Sequence, residues 1–345
     1  MNILIFASFL CAKQIIEFPE LENRNPDSVC QEYQTNYLWT RPKSCYTPGE
    51  GCTYGTHNRE DMEMTTKRVN FFRKITGLSQ IPLSTNEEYL NWVNQASLVM
   101  DKNNIFSHDL TEKVAPKCWT EAAKLGAANS NIFASGGDAC STESITTYID
   151  DSGVPDLGHR RWVLNPSLTQ VVPGLAERHS ALLIMQYVDN GTNENKNFLA
   201  YPPPGPIPHD LIFKHWSFSQ NYSGIWSDEH TKMPEDTKVH IKCNDTVQSI
   251  TPLYYPSNPA MYPGAVEFQP GIAPAGTYCK VILSSASLDI EWRYTVLSIN
   301  CVDGKAQNVN QDAYNGNDNG YGFVKNDKKK SHGSSHKNDD DDSKS

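Results

Sequence analysis

Apolar residues in the first half of the chain recur at helical spacing. After Asp61, Met64, Val69, Phe72 and Ile75 are apolar at roughly helical spacing, and Gly77 follows as a C-cap glycine would. A second helix is predicted behind Ser84 or Thr85 as N-cap, with an acidic residue three positions on. The pattern thus predicts helices at about 61–77, 85–100, 120–128 and 141–148.

The second half changes to the two-residue period of β-strands. A continuous apolar run at 181–188 predicts a buried strand, which with the preceding helices indicates layered α/β structure. Apolar residues then alternate over 239–243, 279–283 and 290–296, as in an antiparallel β-sandwich. The proline-rich stretch 201–208 between the two patterns suits neither helix nor central strand, and predicts a semi-rigid connector.

Both ends of the chain differ from the rest. The apolar run before Lys13 is too short to span a bilayer and has the length of a signal-peptide core, with a buried first strand as the alternative. The segment 302–345 has too little apolar surface to fold and is expected to be disordered, or else to act as an ion-binding or adhesive tail. The predicted organisation is a signal peptide, a cysteine-containing loop-rich leader, an α/β domain, a β-sandwich domain and a polar tail, at 1–12, 13–59, 60–200, 201–301 and 302–345.

Cysteine usage predicts an oxidising compartment. Loss of Cys11 with the signal peptide leaves eight cysteines, an even number that fits a disulfide framework. We expect one pair within the β-sandwich and another between Cys118 and Cys140, which would bracket the alanine-rich helix. Acceptor sequons for N-glycosylation begin at Asn190, Asn221 and Asn244. These features together predict a secreted glycoprotein.

The charge balance excludes one class of partner. The formal net charge is −10, and a negative surface repels nucleic acid and anionic membranes. No basic stripe interleaved with aromatic residues offsets that charge.

The most concentrated chemistry lies in Gly158-His159-Arg160-Arg161-Trp162. The stretch sets an imidazole, two guanidinium groups and an indole side by side, between a glycine and Pro166. A surface helix start that packs Arg and Trp is the structural alternative to a binding site.

Four motifs, in order, resemble the CAP superfamily of secreted SCP-like proteins. They are Asn70-x-x-Arg73-x-x-x-Gly77-Leu78, Phe106-Ser107-His108, Ser130-Asn131-Ile132 and Gly158-His159-Arg160. The resemblance covers about 60–200 and is greatest to the branch with a Gly-His-Arg-Arg-Trp stretch and a following β-domain. It implies a three-layer α-β-α sandwich with a central cleft, followed here by the antiparallel β-sandwich.

In that family two histidines and two acidic residues can hold a divalent metal such as zinc. The matching histidines are His108 and His159, but Ser130 stands where the family has a glutamate. Asp151 is taken as the acidic ligand, with Asp150 and Glu143 as alternatives. Because stable zinc sites usually take three or more protein ligands, the expected site is weak.

The neighbouring residues are predicted to support the cleft. We expect Arg160 to hold the acidic loop at Asp150 or Asp151 and Trp162 to pack beneath the cleft. Asn70 and Arg73 are expected to form hydrogen bonds between helices.

The function that the resemblance implies is binding without catalysis. The expected ligand is a small apolar molecule in the extracellular space, such as a sterol or fatty acid, or else a partner protein. A metal-dependent hydrolase or protease is the alternative, which the serine at Ser130 disfavours because it cannot act as the general base. Adhesion to a matrix through the β-sandwich is the third interpretation.

Overall fold

Helices and strands contribute about equally to the fold. The computed structural model describes residues 13–184, 195–223, 233–244, 246–255, 264–270, 274–307 and 309. The helices in these ranges are α1 (Pro19–Glu22), α2 (Pro26–Asn36), α3 (Arg59–Ile75), α4 (Glu87–Asn103), α5 (Glu121–Ala128), α6 (Ser141–Asp150) and α7 (Gly158–Val163), with a 3-10 turn at His209–Leu211. The strands are β1 (Gln14–Glu17), β2 (Tyr46–Thr47), β3 (Thr56–His57), β4 (Ser130–Ala134), β5 (Pro173–Leu175), β6 (His179–Leu183), β7 (Asn195–Tyr201), β8 (Gly205–Pro208), β9 (Trp216–Ser223), β10 (Lys238–Cys243), β11 (Thr246–Ile250), β12 (Leu253–Tyr255), β13 (Ala265–Phe268), β14 (Tyr278–Ser285), β15 (Ile290–Val302) and β16 (Lys305–Gln307).

The four predicted helices are present as α3 to α6, with one change at a cap. The side chain of Asn86 accepts hydrogen bonds from Glu88 N and Tyr89 N, so Asn86 is the N-cap of α4. Ser84, two residues earlier, instead accepts a hydrogen bond from Asn86 N through its hydroxyl. Asparagine is as good an N-cap as serine, and local sequence alone did not separate them.

The leader 13–59 contains regular structure that its sequence pattern did not predict. α2 begins behind Asn25, whose side chain accepts from Ser28 N, and Pro26 occupies the first turn. Its buried residues include Val29 and Tyr33, one turn apart. Because so short an apolar face gives little periodic signal, the helix escaped prediction.

A three-stranded antiparallel sheet in the order β4-β6-β5 separates two groups of helices. In β6, Ala181 and Leu183 belong to the hydrophobic cluster that includes Val93 and Val99 of α4. Leu182 belongs to the other cluster, with residues of α3 and α6. Alternate residues of a strand point to opposite faces, so both faces of this sheet are covered.

The larger sheet has the order β1-β15-β14-β10-β11 and is mixed, where the alternating pattern predicted an antiparallel one. β1 and β8 both run parallel to β15, beside 290–293 and 296–299 respectively. The stretch 201–208, predicted to be a connector, thus contains a buried strand. β16 pairs with the end of β15, so residues 305–307 form part of the sheet. The polar tail, predicted to begin at 302, therefore begins later in the chain.

A four-stranded antiparallel sheet, β12-β13-β9-β7, packs on the mixed sheet. The ring centroid of Phe218 in β9 lies 5.7 Å from that of Trp292 and 6.1 Å from that of Tyr294, both in β15. Large aromatic rings therefore fill the space between the two sheets.

One hydrophobic cluster takes side chains from three of the five predicted segments, namely 13–59, 60–200 and 201–301. It includes Phe18 and Tyr33 of the leader, Phe72 of α3, and Trp216 and Trp292 of the strands. The described residues accordingly fall within one compact unit.

Four disulfides join eight of the nine cysteines, all eight within the described residues, and the predicted Cys118–Cys140 bond is wrong. The pairs are Cys30–Cys301, Cys45–Cys140, Cys52–Cys118 and Cys243–Cys279. Cys118 and Cys140 each pair with a leader cysteine, so the disulfides attach the leader just before the starts of α5 and α6. The expected bond within the strands is Cys243–Cys279, which joins paired residues of β10 and β14.

Several predictions lie outside the described residues. These are the signal peptide 1–12, the sequon at Asn190 and nearly all of the tail. In the part of the chain that the structure covers, no helix combines the length and apolar character needed to span a membrane.

Candidate functional site

The Gly-His-Arg stretch forms the short helix α7, and Asp151 caps it. Asp151 and Leu157 both have positive φ, 52° each, which folds the chain sharply between α6 and α7. This places the Asp151 carboxylate at the start of α7, where it accepts from Arg160 N at 3.1 Å. A carboxylate there satisfies a backbone N–H that has no partner within the helix.

His159 is held on three sides. Its Nδ1–H donates to Asp151 Oδ1 at 2.8 Å, and its ring stacks on Tyr148 with centroids 5.3 Å apart. Its backbone carbonyl accepts from Asn131 Nδ2 at 3.0 Å. The side chain remains 23% exposed. With Nδ1 donating to a carboxylate, Nε2 is the nitrogen left to bind a ligand.

Arg160 holds the acidic loop as predicted, by binding backbone carbonyls at the C-terminal end of α6. Its Nε donates to Ile149 O at 2.6 Å and its Nη2 to Asp150 O at 2.9 Å. Its Nη1 donates to Ser217 Oγ in β9 at 3.1 Å, and the guanidinium lies over the Tyr201 ring. Burial lowers the pKa of this guanidinium. The side chain therefore ties α6 to the strands and is not available to a ligand.

The remaining supporting residues are also structural. Trp162 is buried in the main hydrophobic cluster. Asn70 exchanges two hydrogen bonds of 2.8 Å with the backbone of Ile81. Arg73 donates to Asn165 O at 2.8 Å, just past the end of α7. Asn70 and Arg73 thus bind backbone segments beside α3. The prediction that Asn70 forms hydrogen bonds between helices is therefore wrong.

His108 lies on the surface at the end of α5. Its Nδ1–H donates to Ala127 O at 2.8 Å, and the residue is exposed. A histidine that donates to the last carbonyls of a helix is a common structural cap.

Ser130 is buried at the start of β4 and points away from His159. It pairs with Leu183, on the face that packs against α4 and α5. Asn131, which holds His159, points to the other face. Among the described residues the Ser130 hydroxyl has no hydrogen-bond partner.

The predicted metal ligands do not meet the requirements of a zinc site. His159 and Asp151 are in contact, but His108 does not join them in a group of ligand atoms all within 4.8 Å of one another. Zinc sites usually take three or more protein ligands at about 2.0–2.3 Å. The residues present therefore do not fit the metal that the family resemblance implies.

A buried polar cluster that the sequence did not reveal lies between the starts of α3 and α6. Asp61 accepts from Ser141 N and Ser141 Oγ, both at 2.8 Å, and from Thr142 N at 3.1 Å. His57 Nε2–H donates to the same carboxylate at 2.7 Å. Burial raises the pKa of Asp61, but the bond and charge of His57 and the bonds from Thr142 and Ser141 outweigh it, so the net pKa is lowered.

These three residue types invite comparison with a Ser-His-Asp triad, and the geometry excludes it. Ser141 Oγ and Asp61 Oδ2 both approach Nε2 of His57, at 3.2 and 2.7 Å. In a triad the serine and the aspartate bind different ring nitrogens. Asp61 is completely buried, so the cluster serves to cap α6. The spacing His57-x-x-x-Asp61 at a helix start was its only sequence signal.

A second histidine that the sequence analysis missed lies near the His108 segment. His179 Nδ1–H donates to Asp101 Oδ1 at 3.2 Å, and Arg178 Nε donates to the same oxygen at 3.2 Å. Burial lowers the pKa of His179 and outweighs the opposing effect of Asp101. The ring of Phe106 stacks near it with centroids 6.5 Å apart, although Phe106 itself is 57% exposed.

One of the three sequons can be located with its side chain. Asn244 lies exposed in the turn between β10 and β11, with φ of 51°. Asn221 lies within β9, and its side chain is outside the described part of the structure.

Comparisons of the chain with protein-family models, with curated proteins and with solved structures found no match.

Proposed function

We propose that this protein is a secreted, CAP-like binding protein that carries a small apolar ligand, such as a sterol or fatty acid, without catalysing a reaction. The small sheet covered by helices on both faces supports a CAP-like α-β-α sandwich. The two facing sheets support the following β-sandwich. Four disulfides support an extracellular location, and exposed Asn244 supports glycosylation.

The observation that carries the choice of binding over hydrolysis is the position of His159. Its Nδ1–H donates to Asp151 and its ring stacks on Tyr148. Ser130 points to the face of the small sheet that is opposite Asn131 and His159. A metal-assisted hydrolase needs a bound ion with an open position and a base beside it. Among the described residues, only Asp151 contacts His159 as a further ligand, which is fewer than the three that zinc usually takes.

We assign the ligand contact to the segment between α4 and α5, which carries His108. Phe106 and Val114 in this segment are 57% and 48% exposed. Two exposed apolar side chains in one segment offer surface that an apolar ligand would bury, with a favourable free energy of transfer from water. Phe106 is therefore the residue whose removal should weaken binding most.

The test is a titration of the secreted protein with a labelled sterol and a labelled fatty acid, with and without EDTA. We expect saturable binding that chelation leaves unchanged and that F106A weakens about tenfold, equivalent to about 1.4 kcal/mol. Val247→Ala is the matched control, since Val247 is 66% exposed but belongs to β11 of the mixed sheet.

Three results would contradict the proposal. Binding that EDTA abolishes would require a metal in the site. No binding of either lipid would favour a protein partner, or adhesion through the strands. A peptidase activity that H108A combined with H159A removes would establish the hydrolase alternative.

A further inference from the structure

The four disulfides differ in how far solvent reaches their sulfur atoms. Among the eight described cysteines Cys52 is the only exposed one, and its partner Cys118 is half-buried. Each of the other three disulfides has at least one cysteine that is no more than 1% exposed. A thiolate breaks a disulfide by direct attack on one of its sulfurs, so Cys52–Cys118 is the bond that a dissolved thiol reaches first.

We propose that Cys52–Cys118 is a modification site for low-molecular-weight thiols, which open the bond reversibly and remain on Cys52 as a mixed disulfide. The chemical class is a small aliphatic thiol such as glutathione. The site is separate from His159, and it does not rest on the proposed lipid binding.

The loop between β2 and β3 leaves Cys52 open to attack. Cys52 directly follows Gly51, which has a φ of 59°. A side-chain carbon at Gly51 would meet no atom within 4 Å other than those of its own chain neighbours, so the space on this side of the loop is empty. A nucleophile that attacks Cys52 Sγ expels the sulfur of Cys118.

The same loop keeps its shape without the disulfide. β2 and β3 pair on either side of it. Gly55 N donates to the hydroxyl of Tyr46 at 2.8 Å. Thr53 N donates to Glu50 O at 3.0 Å, which closes the turn around Cys52. Opening the bond should therefore leave the loop in place.

The other end of the bond is also held by hydrogen bonds of its own. Asn103 exchanges two of them with the backbone of Lys117, at 2.9 and 3.0 Å. Trp119 Nε1 donates to Leu110 O at 2.8 Å. Cys118 lies between these two fixed residues with a φ of 61°, a left-handed conformation that is unfavourable for a residue with a Cβ. Opening the bond removes one constraint that keeps Cys118 in this conformation, which favours the exchange.

The exchange is balanced without a further oxidant or reductant. The thiol loses its proton, and its sulfur forms a bond to Cys52 Sγ as the bond to Cys118 breaks. Cys118 leaves as a thiolate and takes up one proton, so one disulfide replaces another. Attack of the Cys118 thiolate on Cys52 reverses the reaction and expels the small thiol. Because both cysteines stay held near each other, this return is intramolecular and is favoured once the free thiol is removed.

The experiment treats the whole oxidised protein with reduced glutathione at neutral pH, stops the reaction by acid and alkylation, and maps every cysteine by peptide mass spectrometry. We expect one glutathione on Cys52, a free thiol on Cys118 and three intact disulfides. Opening of Cys52–Cys118 should be at least about tenfold faster than opening of each other disulfide, because buried sulfurs become accessible only when the structure opens. Removal of glutathione by dialysis should restore the original bond.

Two double variants serve as controls. C52S/C118S should take up no glutathione under the conditions that modify the wild type. C243S/C279S lacks a different disulfide and should be modified as the wild type is. If C52S/C118S does not fold, the wild-type map decides alone, since it compares four bonds within one molecule.

Three results would overturn the proposal. The first is another disulfide that opens as fast as Cys52–Cys118. The second is glutathione on Cys118 in place of Cys52. The third is a wild type that reacts only after far-UV circular dichroism shows it to be unfolded, because the exchange would then not be a property of the folded protein.

Discussion

The carboxylate of Glu22 accepts a hydrogen bond of 2.8 Å from the backbone N–H of Thr295, far away in the sequence. β1 pairs with 290–293 and β8 with 296–299, while β14 occupies the opposite edge of β15. Glu22 of α1 thus satisfies the backbone of β15 in the gap between two short parallel strands. A side chain completes the sheet where no strand is available.

This position makes the stability of the protein depend on pH. Burial raises the pKa of Glu22 to about 7 from the ordinary 4.5, and the opposing bond from Thr295 does not cancel it. The folded state therefore binds the proton more tightly than the unfolded state. The stabilisation from protonated Glu22 is complete below about pH 4.5 and is lost as the pH rises through about 7.

Glu22→Gln should remove this dependence, since the amide stays neutral and its oxygen can still accept from Thr295. We expect E22Q to match the wild type at about pH 4.5 and to exceed it by up to about 3 kcal/mol in free energy of unfolding at about pH 8. Urea unfolding at both pH values measures this. The control is E20Q, an exposed glutamate of the same helix. An E22Q protein less stable than the wild type at about pH 8 would refute the assignment.

Asp151 should contribute to stability through both groups that it binds. D151A leaves Arg160 N and His159 Nδ1 without their acceptor and should cost about 1–3 kcal/mol, while D151N keeps one acceptor oxygen and should cost less. Chemical denaturation of both variants gives the comparison. Asp109→Ala, at an exposed residue beside His108, serves as the control and should be nearly neutral. Equal losses for D151A and D109A would show that the cap is unimportant.

Arg160 should not tolerate lysine. An ammonium group cannot reproduce the three donors that reach Ile149 O, Asp150 O and Ser217 Oγ, so R160K should lose roughly 2–4 kcal/mol. Arg41 also makes three contacts but is 36% exposed, and R41K should change stability by less than about 0.5 kcal/mol. Thermal unfolding of the pair tests this, and similar effects in both would be inconsistent with the buried role of Arg160.

The disulfides should differ in their contribution because they close loops of different length. Cys30 and Cys301 are 271 residues apart, whereas Cys243 and Cys279 are 36 apart. Chain entropy then predicts that C30S/C301S costs about 2 kcal/mol more than C243S/C279S. Calorimetry of the two double variants measures the difference, after mass mapping has shown the other pairs intact. A larger loss in C243S/C279S would contradict the loop-length argument.

The predictions of helices and strands were confirmed where the apolar pattern repeated over many residues. α3 to α6 follow apolar faces of two or more turns, and β10, β14 and β15 follow clear alternation. α2, β1 and β8 were missed because each is short and is stabilised by partners distant in sequence. Proline residues in β8 also argued against a strand, yet β8 lies at an edge where a missing N–H is tolerated.

The candidate site was predicted only in part, for a related reason. The sequence alone singled out Gly158 to Trp162 and the contact of Arg160 with the acidic loop, because adjacent residues must share one location. It did not reveal that Ser130 points away from His159, since that depends on the register of β4 against β6.

The sequence by itself determined the elements with long periodic patterns, the richness in cysteine that indicates disulfides, and the acidic balance of the chain. Only the tertiary structure decided which cysteines pair, that Glu22 completes β15, and that Cys45, Asp61 and Cys140 lie together in the interior. Periodicity indicates which side chains of a short segment are buried and which are exposed to water. Contacts between distant segments depend on chain closure, and no local pattern encodes their partners.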